Sequence, residues 1–123
     1  MKILLVDDSK TMRNIQKSVL AQLGHSDVVE ACDGVDALSK ASAGAFDLML
    51  VDWNMPNMDG LTFVKQYRAT GAKTPIIMVT TEAEKSRVVE AIKAGVNNYC
   101  IKPFTPESLA DRIRETLSRV AAA

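Results

Sequence analysis

The sequence predicts an α/β protein, a (βα)5 arrangement in which a five-stranded parallel sheet carries helices on both faces. Three observations lead there. Five short apolar runs of strand type recur along the chain, a helical pattern follows each, and no two runs are joined by a hairpin-length turn. Strands separated by helices cannot pair as tight hairpins, and right-handed crossovers then set them parallel.

The first strand is KILLVD, residues 2–7. Ser9 suits the cap of the helix that follows, in which Met12, Ile15, Val19, Leu20 and Leu23 repeat at helical spacing until Gly24 stops it. DVVEA (27–31) and FDLMLVD (46–52) are the second and third strands, each again followed by a helix. Gly71 closes the third helix, PIIMVT (75–80) is the fourth strand, and the fourth helix spans 82–94 before Gly95. NYCI (98–101) is the fifth strand. The last helix, 106–119, has Pro106 in its first turn, where the missing N–H is harmless, and an apolar stripe of Leu109, Ile113, Leu117 and Val120. Residues 1–120 form a single domain, and the alanines at 121–123 read as a frayed helix end. There is no internal repeat, linker or low-complexity segment.

Composition excludes several functions. A chain of 123 residues, 47% hydrophobic and 24% charged, holds one core and leaves no room for a second domain. Fifteen basic and fifteen acidic side chains cancel, so no field draws in nucleic acid or an anionic membrane. No apolar run is long enough for a bilayer span, and the N-terminal run is too short for a signal peptide. Cys32 and Cys100 match no metal spacing and lie in apolar segments, as reduced core thiols of a cytoplasmic protein would.

In a parallel sheet, functional side chains gather at the carboxyl ends of the strands, near the switch in strand order. Those ends carry Asp7 and Asp8, Asp52, Thr80 and Thr81, and Lys102. Three carboxylates in one crevice repel one another and resist ionisation unless a cation compensates them. Oxygen ligands of this kind suit Mg²⁺, with Mn²⁺ as a substitute. Lys102 adds a positive charge, and the Thr80 hydroxyl can donate to an oxyanion. Each residue alone has an ordinary interpretation: an acidic pair in a solvated turn, a lysine before proline at the surface, a threonine ending a strand. Their occurrence together, each at the end of a different strand, is what marks a site.

The segments LLVDDS, VDWNMPNMDG, MVTTEAE and CIKPF, in this order, resemble the receiver domains of bacterial two-component signalling over essentially the whole chain. Within that family DWNMPNMDGL, AGVNNY and KPFT are most similar to the stand-alone chemotaxis regulators. The resemblance implies a flavodoxin-like receiver fold and a monomeric response regulator that catalyses only its own phosphorylation and dephosphorylation. Asp52 becomes the phosphoacceptor for a histidine kinase. Asp8, Asp52 and the Asn54 carbonyl become Mg²⁺ ligands, with Asp7 holding a metal-bound water. Lys102 pairs with the phosphoryl group, Thr80 moves toward it, and Tyr99 turns inward as the partner of that switch. Asn54 and Glu82 tune access of hydrolytic water. The message then passes by contact, through the face built from residues 82–119, to the flagellar motor switch or another protein target, and a phosphatase ends it. The resemblance also implies a cis Lys102–Pro103 peptide, against the general preference for trans. Trp53 beside the acceptor reads as partly exposed packing.

Three other functions compete. A phosphorelay intermediate, passing its phosphoryl group to a histidine phosphotransfer protein, would use the same residues. A Mg²⁺-dependent phosphohydrolase with an aspartyl-phosphate intermediate would need a substrate-enclosing cap, for which the chain has no residues left. A flavin-binding domain would need a hydroxyl- and glycine-rich phosphate loop after the first strand, where DDSK instead places two carboxylates.

Overall fold

The three central apolar runs become strands because almost every residue in them is buried on one face of the sheet or the other, whereas the edge runs at 27–31 and 98–101 bury one residue each. The structure is a computed structural model and describes residues 1–122. Strands β1 (Lys2–Val6), β2 (Asp27–Ala31), β3 (Leu48–Val51), β4 (Ile76–Thr80) and β5 (Asn98–Ile101) alternate with helices α1 (Lys10–Gln22), α2 (Gly34–Ala43), α3 (Gly60–Ala69), α4 (Lys85–Ala94) and α5 (Pro106–Ala122). All pairings are parallel, in the order β2-β1-β3-β4-β5. The order reverses between β1 and β3, which puts the crevice of such a sheet above those two strands.

Alternation along the strands divides the core in two. Ile3, Leu5, Leu48, Leu50, Ile77 and Val79 face α1 and α5, where Val19, Leu20, Leu109 and Ile113 meet them. Leu4, Val6, Met49, Val51, Ile76 and Met78 point the other way, onto Ala37 of α2, Phe63, Val64 and Tyr67 of α3, and Ala91 of α4. Strands covered on both faces lose the polar alternation of a half-exposed sheet and read as continuous apolar runs.

Local chemistry sets the helix boundaries. Ser9 caps α1 by accepting from the Met12 N–H, Asp33 caps α2 through Asp36, and Asp59 caps α3 through Thr62. Gly24, Gly71 and Gly95 all take positive φ just past helix ends. The α4 helix starts at Lys85 rather than 82, because Thr81 to Glu84 form a loop in which Glu82 is engaged by other side chains. The α5 helix continues to Ala122, past the boundary at 119; of the alanines expected to fray, Ala123 lies outside the described residues.

Three expectations on packing need correction. Ile15 is 41% exposed and Gln16 takes the buried position, because α1 turns the Gln16–Val19–Leu20 edge toward the sheet. Cys32 is exposed, since the chain bends toward α2 directly after β2, whereas Cys100 is buried as expected. Trp53 is only 4% exposed, roofed by the Arg87 guanidinium 5.4 Å from its ring centroid.

Gly60 locks the crevice floor. Its N–H donates to the Trp53 carbonyl at 2.8 Å, and a Cβ at this position would lie 2.0 Å from the Asp52 carbonyl oxygen. Backbone approaches backbone here, so no side chain can swing aside. Gly60→Ala is therefore expected to destabilise the fold by about 1–3 kcal/mol, the usual range for overpacking, measured as a lower urea midpoint at unchanged slope.

Candidate functional site

The ladder hydrogen bonds run one residue beyond β1 and β3, and that extension aims the acidic side chains. The Asp7 N–H donates to the Ala31 carbonyl at 3.1 Å, and the Asp52 N–H donates to the Val6 carbonyl at 2.9 Å. Carboxylate oxygens of Asp7, Asp8 and Asp52 consequently lie within 4.8 Å of one another, with Asp7 and Asp52 buried and Asp8 exposed. Lys102, in the turn after β5, reaches across β4 to join them. Its Nζ lies 2.7 Å from Asp7 Oδ2 and 3.3 Å from Asp52 Oδ2. The turn is held by the Lys102 N–H donating to the Thr80 carbonyl at 2.9 Å, and the Lys102–Pro103 peptide is cis.

One ammonium against three carboxylates leaves the cluster with excess negative charge. Burial pushes the Asp52 carboxyl above the usual range, and the Asp7 charge adds to this, while Lys102 and the Thr80 hydroxyl pull the other way. The donor set fits a hard divalent cation: three converging carboxylates, one facing solvent, and too little positive charge of their own. Ordinary surface acids would spread apart. These are held together by two strands and a lysine.

Beside the cluster runs a second set of contacts. Thr80 is fully buried, with its Oγ1 3.4 Å from the Glu82 N–H. Asn54 Nδ2 donates to Glu82 Oε1 at 3.2 Å, and the Tyr99 hydroxyl donates to the Glu82 carbonyl at 2.7 Å. Burial, reinforced by the Glu82 charge, pushes the Tyr99 hydroxyl up to about 12, so it stays a donor at physiological pH. The structure thus brings together Asp7, Asp8, Asp52 and Lys102 in one cluster and Asn54, Thr80, Glu82 and Tyr99 in the adjoining network. Thr81 is exposed.

Several nearby side chains were not singled out from the sequence. Arg87 covers Trp53. Asn57, at φ 68°, donates through Nδ2 to Asp33 Oδ2 at 2.7 Å and ties the loop after β3 to the start of α2. Arg13 contacts both the Asp7 carbonyl and Glu30. An arginine on an amphipathic helix carries no signal of such a contact; the asparagine two residues before an Asp-Gly pair was a visible turn signal.

The family model described as the response regulator receiver domain matches residues 3–114. The chain belongs to the response regulator receiver family. It is 52% identical over 120 residues to the chemotaxis protein CheY1 of Helicobacter pylori strain J99, covering 95% of this chain and 97% of that protein. It is 50% identical to a chemotaxis protein CheY homolog of Campylobacter jejuni, covering 95% of this chain and 92% of that one. Among solved structures, Vibrio cholerae CheY4 superposes with a TM-score of 0.86 at 38% identity, covering 94% of this chain and 97% of the other. This receiver is a CheY-like signalling domain with the flavodoxin-like fold, and among its described residues no helix is long and apolar enough to cross a membrane.

The electrostatics yield a signed prediction. A carboxyl whose folded pKa is raised stabilises the fold when protonated, and that contribution is lost as pH rises through the folded value. In metal-free buffer Asp52→Asn should therefore melt a few degrees higher than the parent at pH 7. The gap should shrink as pH falls toward the ordinary aspartate value of 3.8. Lys102→Met should do the opposite and destabilise by about 3 kcal/mol, because it strands a buried charge. Calorimetric melts across pH test both signs, and a lower melting temperature for Asp52→Asn at pH 7 would contradict the crowding of carboxylates.

Proposed function

We propose that this chain is a stand-alone chemotaxis response regulator, phosphorylated on Asp52 by a histidine kinase in a Mg²⁺-dependent reaction. Its output is phosphorylation-dependent binding to the flagellar motor switch. The observation that carries this is the placement of Asp52: at the end of a buried strand, 8% exposed, beside two further carboxylates and within 3.3 Å of a lysine. A nucleophile needs a fixed line of approach, and a strand end supplies it.

Asp8 and Asp52 would hold the ion through carboxylate oxygens and Asn54 through its carbonyl, with Asp7 acting through a water. When bound, Mg²⁺ neutralises charge on the transferring phosphoryl oxygens. The chain's own residues do the rest. An Asp52 carboxylate oxygen forms the new bond to phosphorus as the bond to the kinase histidine breaks. Lys102, already 3.3 Å from Asp52, needs only a small movement to pair with the arriving oxygens. The Thr80 hydroxyl, on the adjacent strand, turns toward the same oxygens and so disturbs the loop at Glu82.

That loop is the route to the surface. Asn54 and Glu82, bonded to each other at 3.2 Å, would tune the approach of hydrolytic water, and Tyr99 holds the Glu82 carbonyl at 2.7 Å. Movement of Thr80 and Tyr99 remodels the face formed by α4, β5 and α5, where the target docks. The protein works as a cytoplasmic monomer, and a phosphatase returns it to rest.

Affinity capture from the host lysate tests the output, comparing the Mg²⁺ form with the Mg²⁺-beryllofluoride form that stands in for phosphorylated Asp52. Retention of a flagellar switch protein by the activated form alone is expected, with loss of that retention in Asp52→Asn. Capture of histidine phosphotransfer proteins and no switch protein would favour a phosphorelay role.

A further inference from the structure

We infer that Arg13 is a positioning residue for the acidic turn, setting the affinity of the Asp7–Asp8–Asp52 cluster for Mg²⁺ through the backbone rather than through its charge. This rests on the cluster being a Mg²⁺ site.

Arg13 closes the first turn of α1, its N–H donating to the carbonyl of the cap Ser9, and its side chain is only 14% exposed. Nη1 donates to the Asp7 carbonyl at 2.5 Å, and Nε donates to Glu30 Oε1 at 2.9 Å. Glu30 sits on β2, paired in register with Leu5 of β1, and takes a further hydrogen bond from Lys17 at 3.1 Å. The planar guanidinium is therefore pinned at two points, and it transmits the position of β2 to one peptide group. That peptide joins Asp7 to Asp8. Its orientation sets ψ of Asp7 and φ of Asp8, and so the directions in which both carboxylates leave the backbone. The Ser9 N–H, which donates to Asp7 Oδ1 at 2.9 Å, completes the turn.

A cation this close has two effects of opposite sign on a divalent ion. Its charge repels the ion, so removing it should strengthen binding. Its grip on the turn pre-forms the ligand set, so removing it should weaken binding; the loss of a partner that orients metal ligands typically costs about 10–100-fold in affinity. Glu30, shared between Arg13 and Lys17, offsets part of the Arg13 charge, which weakens the first effect and leaves the second intact. The geometry thus favours positioning.

The experiment is a MgCl₂ titration of the full chain followed by Trp53 fluorescence, for the parent, Arg13→Gln and Arg13→Lys, with hydrogen exchange at the Ser9 amide in metal-free buffer. Positioning predicts Mg²⁺ affinity in the order parent, Arg13→Lys, Arg13→Gln, with Arg13→Gln weaker by about ten-fold or more and faster exchange at Ser9. A charge effect alone predicts the reverse, Arg13→Gln binding more tightly and Arg13→Lys matching the parent. That outcome, or Ser9 exchange unchanged, overturns the inference. Should Arg13→Gln fail to fold, Arg13→Lys decides alone, since it keeps the charge and loses the fork: parent-like affinity refutes positioning. A parent protein with no response to MgCl₂ would refute the Mg²⁺ reading itself, and this inference with it.

Discussion

The ammonium of Lys102, shared between Asp7 at 2.7 Å and Asp52 at 3.3 Å, is the interaction on which the rest of the arrangement depends. Asp7 is 1% exposed and Asp52 8%, so each has given up most of its hydration, and a shared cation offsets the cost of holding two buried carboxylates side by side. The lysine comes from the turn after the edge strand β5 and must cross β4 to reach them. That requirement explains the order of strands at the crevice: the two acidic ends lie side by side on β1 and β3, and β4 between them and the lysine ends in a short, buried threonine. A bulkier residue at position 80 would stand in the path.

The same economy of positive charge leaves the cluster short of compensation. One lysine restrains the carboxylates enough for the fold to hold them together, and too little to satisfy them. Two kinds of support then share the work. Lys102 contacts the carboxylates themselves, whereas Arg13 contacts the backbone that carries them. A cation on the carboxylates competes with any metal that arrives; a cation on the carbonyl does not occupy a ligand position.

Between the cluster and the surface, connections are few and polar. Asn54 meets Glu82, Tyr99 meets the carbonyl of Glu82, and Arg87 roofs Trp53. The helix beyond them is lightly anchored: Ala91 is the only buried residue of α4, and its N-cap Glu84 makes no side-chain capping bond. Low local burial is the physical signature of an element that can shift without unfolding the domain. On the proposed function, a hydroxyl movement at Thr80 would act on the part of the fold least held by its core, while the tightly packed sheet stays fixed.

Most of this fold was legible because burial on both faces writes itself into sequence as unbroken apolar runs, and because Ser9 and the glycines after helix ends are local devices whose chemistry needs no tertiary context. The acidic and lysine positions were legible for the same reason, since each closes a strand and the parallel topology brings strand ends together. What stayed hidden depended on rotation and on long side chains. A helix period alone could not decide that α1 would bury Gln16 and leave Ile15 in solvent, because the stripe is broad and its exact facing is set by packing against α5 and the sheet. Trp53 looked partly exposed because its cover, Arg87, arrives from a helix 34 positions along the chain, and Arg13 drew no notice because its two acceptors lie on other elements. An arginine's reach lets it act on groups that its own sequence neighbourhood does not reveal. In this receiver the clustered groups are short acids at strand ends, and the cations that reach them come from α1 and from the turn after β5; the first kind can be read from a sequence, and the second only from the fold.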